Sequence, residues 1–193
     1  FTFNMNWDGI QYNAIVEGYA TVDTDGSYQY FKDGDIKVGD GFFVQTIGND
    51  PYVEYTSTRR RIEKNYLNLI ATGKNGDDNL IIDFSGSEEK GFNKLDNFND
   101  EIAELYILDE GYRYAIKNFE SDVEEVEVRF DAKHFGRYTI SAVAEGNFET
   151  VILVDRTTGI ETNLLVEDYT FTSTTDEAKD RFVVRMVNSQ QTT

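Results

Sequence analysis

Between Val151 and Val187 the chain alternates short apolar runs with polar reversals. Val151-Ile152-Leu153-Val154 stops at Asp155, and a polar turn ending in Gly159 follows. Leu164, Val166, Tyr169 and Phe171 come next, then a polar loop from Thr172 to Lys179, then Phe182 to Val187. Branched and aromatic side chains fit a pleated surface, while Gly, Asp, Asn and Thr suit the backbone angles of turns. The stretch therefore predicts consecutive strands joined by reversals, and the rest of the chain must fit around them.

The same grammar runs through the remainder. Phe1, Phe3, Met5 and Trp7 alternate with polar residues, which predicts a half-buried strand. Asp8-Gly9 predicts a hairpin turn, with the partner strand within Ile10 to Val22 and a bulge at Gly18. Phe42 to Ile47 reads as a central strand, and Leu80 to Phe84 as a buried one. Asn75-Gly76 is a turn pivot. Leu105–Leu108 and Tyr112–Ile116, joined by Asp109-Glu110-Gly111, form a tight hairpin. Val126, Val128 and Phe130 point inward, with Glu125, Glu127 and Arg129 outward. The loop from Ser85 to Asp100 has room for one helical turn. Turn signals recur at short intervals, and no helical period persists for three turns. The predicted fold is all-β, an antiparallel β-sandwich of jelly-roll or Ig-like Greek-key type with little helix. Residues 1–193 form one sandwich domain or two closely packed β subdomains, the best boundary lying near 48–51.

Charge narrows the partners. Eighteen Lys and Arg face 36 Asp and Glu, a formal charge of −18. That surface repels phosphate backbones and anionic lipid, so nucleic acid is excluded as a partner. No apolar run approaches the roughly 20 residues of a spanning helix, so membrane insertion is not expected. The absence of cysteine removes disulfides and thiolate metal sites. A start at Phe1 without Met fits a trimmed fragment from which an export signal has been removed.

Few side chains suggest chemistry. Asp23, Asp25, Asp33 and Asp35 lie in two acidic turns flanking one short strand and are the candidate ligands for Ca2+, the only cofactor considered. Calcium needs roughly six to eight oxygens converging at about 2.4 Å, and the spacing fails as an EF-hand because Tyr28 stands where that loop needs Gly. Turn chemistry alone accounts for these acids. His134 is the only histidine, and no Gly-x-Ser-x-Gly elbow accompanies it, so no catalytic residues are assigned. Arg59-Arg60-Arg61 is the one basic cluster; gripping an anionic glycan is weighed against neutralisation by surrounding acids. Trp7, Tyr28 and Tyr30, with Tyr12 and Tyr19, are the candidates for stacking on a sugar, against the commoner role of core aromatics.

Several segments carry more than periodicity. Gly39-Asp-Gly-Phe-Phe-Val44, Leu105-Tyr-Ile-Leu-Asp-Glu-Gly111, Gly136-Arg-Tyr-Thr-Ile140, Leu153-Val-Asp-Arg-Thr-Thr-Gly159, Tyr169-Thr-Phe171 and Arg181-Phe182 occur in one order. In that order, from about Trp7 to Val187, the chain resembles a β-sandwich module of large secreted Bacteroidetes proteins, found just before the C-terminal sorting domain of type IX secretion. It departs from that pattern near the start, where Asn6-Trp7-Asp8 replaces a proline-containing segment, and no sorting domain follows Thr193. The resemblance implies a non-catalytic, extracytoplasmic module, a structural or adhesive part of a surface or secreted protein whose partners are the other domains of that protein. The alternative is a carbohydrate-binding domain using exposed aromatics, with a glycan as partner and Ca2+ as an aid. A hydrolase ranks last.

Overall fold

The computed structural model describes residues 5–55, 64–85, 91–121 and 123–188. Arg59, Arg60 and Arg61 lie outside them, as do the first four residues of the predicted opening strand. The chain runs β1 (Met5–Asn6), a 3-10 turn (Trp7–Gly9), β2 (Ile10–Asn13), β3 (Tyr19–Val22), β4 (Tyr28–Phe31), β5 (Asp35–Ile36) and β6 (Tyr52–Tyr55). It continues through β7 (Tyr66–Gly73), β8 (Gly76–Asp83), β9 (Gly91–Asn93), β10 (Glu104–Asp109), β11 (Tyr112–Asn118) and β12 (Glu125–Asp131). It closes with β13 (Gly136–Glu145), β14 (Phe148–Asp155), β15 (Ile160–Asn163), β16 (Tyr169–Ser173) and β17 (Phe182–Asn188).

The fold is all-β with one short turn of helix among the described residues. Its body is a single large sheet ordered β15-β14-β17-β12-β10-β11-β8-β7-β13-β16, with β9 added on β11. The sheet bends nearly into a barrel, one continuous sheet in place of the two separate sheets of the expected sandwich. Rings far apart in strand order meet inside it. Phe171 of β16 lies 4.9 Å from Phe182 of β17 and 5.1 Å from Phe130 of β12, both near edge-on. One core fills the interior, drawing Leu67 and Leu69 from β7, Val126 and Val128 from β12, and Val151 and Leu153 from β14. Burying each such side chain stabilises the fold by about 1.5–3 kcal/mol.

The inward set Val126, Val128 and Phe130 is buried, as the alternation requires. The β10–β11 hairpin turns through Glu110 and Gly111, both at positive φ, and Asn75-Gly76 joins β7 to β8. Among the described residues pairing is antiparallel except between β8 and β11, which run parallel in register Ile116↔Ile81. An antiparallel expectation missed that pair, because nothing in two separated apolar runs states their relative direction.

Residues 5–55 form a smaller unit of three two-stranded sheets: β1 with β5, β2 with β6, and β3 with β4. Two local expectations change here. Asp8-Gly9 belongs to the 3-10 turn rather than a hairpin, so β1 pairs with β5 instead of β2. Phe42 to Ile47 makes only isolated bridges, Phe43 to Ala20 and Thr46 to Ile15. The stretch 48–51 is a bend inside the small unit, since β6 beyond it pairs back onto β2, Ile10 opposite Tyr55. Gly18, the expected bulge, is the joint between β2 and β3; at φ +121° an added Cβ would meet the Phe31 carbonyl at 2.9 Å.

The small unit is fastened to the large sheet through β8. Leu80 and Ile82 of β8 face the main core, while Ile81 packs with Val16, Ala20, Tyr28 and Tyr30. Asn79 completes the joint. Its Nδ2 donates to the Tyr30 carbonyl and its Oδ1 accepts from the Tyr30 amide, both at 2.9 Å. A side-chain amide thereby satisfies the backbone groups that a neighbouring strand would otherwise take.

Candidate functional site

β3 and β4 pair with Tyr19 opposite Phe31 and Thr21 opposite Gln29. Successive side chains of a strand alternate sides, so these four share one face. That face floors a groove of about 490 Å3 whose walls come from Asp23, Asp33, Gly34, Asp35, Lys37 and Asp40. Phe31 stacks on Tyr19 with centroids 5.2 Å apart and planes 20° from parallel, and keeps 38% of its surface exposed. The Gly34 and Gly39 turns, both at positive φ, shape the rim.

The rim acids are held in place. Asp33 Oδ2 takes Lys64 Nζ at 2.7 Å and the Tyr66 hydroxyl at 3.2 Å, which ties the rim to the first residue of β7. Asp35 Oδ1 accepts from Asn6 at 2.7 Å, and Asp40 Oδ2 from the Lys37 amide at 3.1 Å. Their field reaches the floor. Burial first, then the charges of Asp33, Asp35 and Asp40, push the Tyr19 phenol well above its ordinary value. Tyr19 is therefore a neutral hydroxyl, and it donates to the Asp33 carbonyl at 3.2 Å. The groove combines one exposed aromatic ring, neutral donors and a negative rim, a setting suited to a polyhydroxylated ligand that is neutral or carries an amine.

The aromatic residues singled out in the sequence lie elsewhere. Trp7 and Tyr30 are 0% exposed and Tyr28 is buried. Trp7 packs against Tyr12 and Tyr19, and the Tyr30 hydroxyl accepts from the Leu95 amide at 2.8 Å. These three cannot form an exposed stacking platform; the correction follows from the period of β4, whose Tyr28 and Tyr30 face the joint and leave Gln29 and Phe31 to the groove. The period of two is written in the sequence, but which side faces solvent is set by what packs on the strand.

Asp23, Asp33 and Asp35 line the groove, while Asp25 turns toward the β7–β8 reversal. Burial alone would raise the Asp25 carboxyl, but hydrogen bonds from Ser27 and the Asp77 backbone outweigh it and lower the value. Among the described residues no three His, Asp or Glu side chains gather closely enough to hold a metal ion, so the four acids do not converge as a calcium site. His134 is half-buried; its carbonyl accepts from the Tyr138 hydroxyl at 2.8 Å and its ring lies 5.7 Å from that of Tyr138. No protein-family model matches the chain, and no curated protein or solved structure is significantly similar to it.

Proposed function

We propose that this chain is a non-catalytic, extracytoplasmic binding module of a bacterial surface or secreted protein, and that its groove over β3 and β4 takes a carbohydrate. The observation carrying this reading is the exposed Phe31 ring set among hydroxyl, amide and carboxylate groups in a groove of about 490 Å3. The apolar face of a pyranose packs on an aromatic ring, while its hydroxyls donate to fixed carboxylates and amides. The negative rim selects neutral or amino sugars over sulfated or uronic ones. The sequence resemblance to secreted Bacteroidetes modules supports the extracytoplasmic and non-catalytic parts of the reading. A glycan array with the whole chain, run with and without Ca2+, tests it. Signal on neutral or amino glycans, independent of Ca2+, is the expected outcome, and a flat response on every glycan overturns it.

A purely structural spacer is the second reading. It is favoured by the joint at β8, where Asn79 clasps Tyr30 and buried Lys32 bridges Asp83 and Glu17. A spacer must transmit force without its parts separating, and the joint provides that. A flat array leaves this reading standing.

A further inference from the structure

β8 and the segment just after β9 bring a lysine and an aspartate together where solvent does not reach. The Lys94 and Asp78 side chains are both 0% exposed. Nζ lies 2.5 Å from Oδ1 and 2.6 Å from Oδ2. A nitrogen that close to both oxygens is about 3 Å from the carboxyl carbon between them, the separation from which attack starts once the lone pair turns toward that carbon. The surroundings hold the two groups in register. The Leu105 amide donates to Asp78 Oδ2 at 2.7 Å, Lys94 Nζ donates to the Asn79 carbonyl at 3.2 Å, and the Tyr30 ring lies 4.8 Å from Nζ.

We propose that Lys94 and Asp78 condense into an intramolecular amide bond that staples the segment after β9 to β8. The chemistry balances within the pair. A proton passes from the ammonium to the carboxylate, giving a neutral amine and a neutral acid. Nζ swings out of the carboxyl plane and its lone pair attacks Cγ, forming the N–C bond. An amine proton moves to the hydroxyl, the C–O bond breaks, and one water leaves; nothing is oxidised or reduced. The Leu105 amide is placed to stabilise the oxyanion that develops on Oδ2.

Burial favours the reactive forms. It is the leading cause that raises the Asp78 carboxyl and lowers the Lys94 amine, although each partner's charge opposes it. Buried Glu104, held by Arg113 and Lys133 at 2.9 Å each, adds a negative charge that raises both groups, favouring the neutral acid of Asp78 and opposing the neutral amine of Lys94. Condensation in water is opposed by the solvation of the separate ions, and a dry site removes that opposition. The chain has no cysteine, so a covalent staple within it has to be of another kind than a disulfide. A second buried pair, Lys32 with Asp83, serves as an internal control.

Intact-mass measurement of the denatured full chain tests the proposal. The wild type is expected to weigh one water less than its sequence, and tandem mass spectrometry of a digest to show one branched peptide joining positions 78 and 94. Lys94→Arg is expected to restore the full mass, while Lys32→Arg keeps the deficit. The branched peptide locates the bond even where Lys94→Arg fails to fold. A wild-type chain at full sequence mass, a deficit that survives Lys94→Arg, or a branch at any other pair overturns the proposal.

Discussion

Arg181 grips Asp155 side-on, Nε to Oδ1 at 2.9 Å and Nη2 to Oδ2 at 2.6 Å, and both side chains are buried. The contact joins the ends of β14 and β17, which are neighbours in the large sheet. Asp155 ends β14, Arg181 immediately precedes β17, and the hydroxyl of Tyr169, the first residue of β16, donates to Asp155 Oδ2 at 2.7 Å. β16 lies at one end of the strand order and β14 near the other, so this cluster spans the seam where the rolled sheet nearly meets itself. Arg181 Nη1 adds Glu177 at 2.7 Å and the Thr172 carbonyl at 3.0 Å.

Removing one partner of this cluster leaves the other charged and buried. Arg181→Leu is expected to destabilise the fold by about 3–5 kcal/mol, the usual cost of orphaning a buried ion. Equilibrium denaturation in urea measures it. A loss below about 1 kcal/mol, the scale of an exposed pair, would mean that the seam is open to water.

The same contact sets an acid limit. Burial would raise the Asp155 carboxyl, but hydrogen bonds from Arg181, Tyr169 and Thr157 prevail and hold it at about 2 against 3.8 for the free group. A group depressed in the folded state contributes stability above its unfolded value and loses it as pH falls through the folded one. Stability is therefore expected to drop by about 2 kcal/mol between about pH 4 and pH 2 on account of Asp155. Asp155→Asn, less stable at neutral pH, should show a shallower acid slope than the wild type; an unchanged slope would assign the loss to other carboxylates.

Asn79 makes a sharper test of the joint. Asn79→Ala removes both hydrogen bonds to Tyr30 and leaves a buried backbone amide and carbonyl unsatisfied. The expected cost is about 2–4 kcal/mol. Hydrogen exchange should locate it: the Tyr30 amide loses protection while β13 and β14 keep theirs. Uniform loss across all strands would show that the small unit and the large sheet unfold only together.

What could be read from the residues was local. Val126, Val128 and Phe130 announced their inward face because period-two alternation is written into consecutive positions. Asn75-Gly76 and Glu110-Gly111 announced reversals through residues that accept positive φ. Pairing at a distance was not legible. Met5 meets Ile36, Ile10 meets Tyr55, and Ile81 runs parallel to Ile116, and no short-range signal encodes those partners. The groove was half legible: its acids Asp23, Asp33 and Asp35 were singled out, but Phe31 was passed over for the more conspicuous Trp7, Tyr28 and Tyr30, which the core absorbed. Nothing local marks Asp155, Arg181, Asp78 and Lys94 as buried, because burial of a charge depends on a partner that is remote in sequence.

Trp7 offers an independent check on that reassignment. As the only tryptophan and fully buried, it is expected to emit at short wavelength and resist acrylamide quenching. Efficient quenching would return it to the surface and reopen the platform first drawn from the sequence.

The most direct test of the groove is calorimetric titration of an array-positive neutral or amino glycan into wild type, Phe31→Ala and Tyr112→Ala. Tyr112 is 60% exposed and does not line the groove, so it controls for loss of any surface ring. Phe31→Ala is expected to weaken binding at least about tenfold, a loss of about 1.4 kcal/mol, with Tyr112→Ala unchanged. Wild-type affinity in Phe31→Ala would contradict the assignment of the groove.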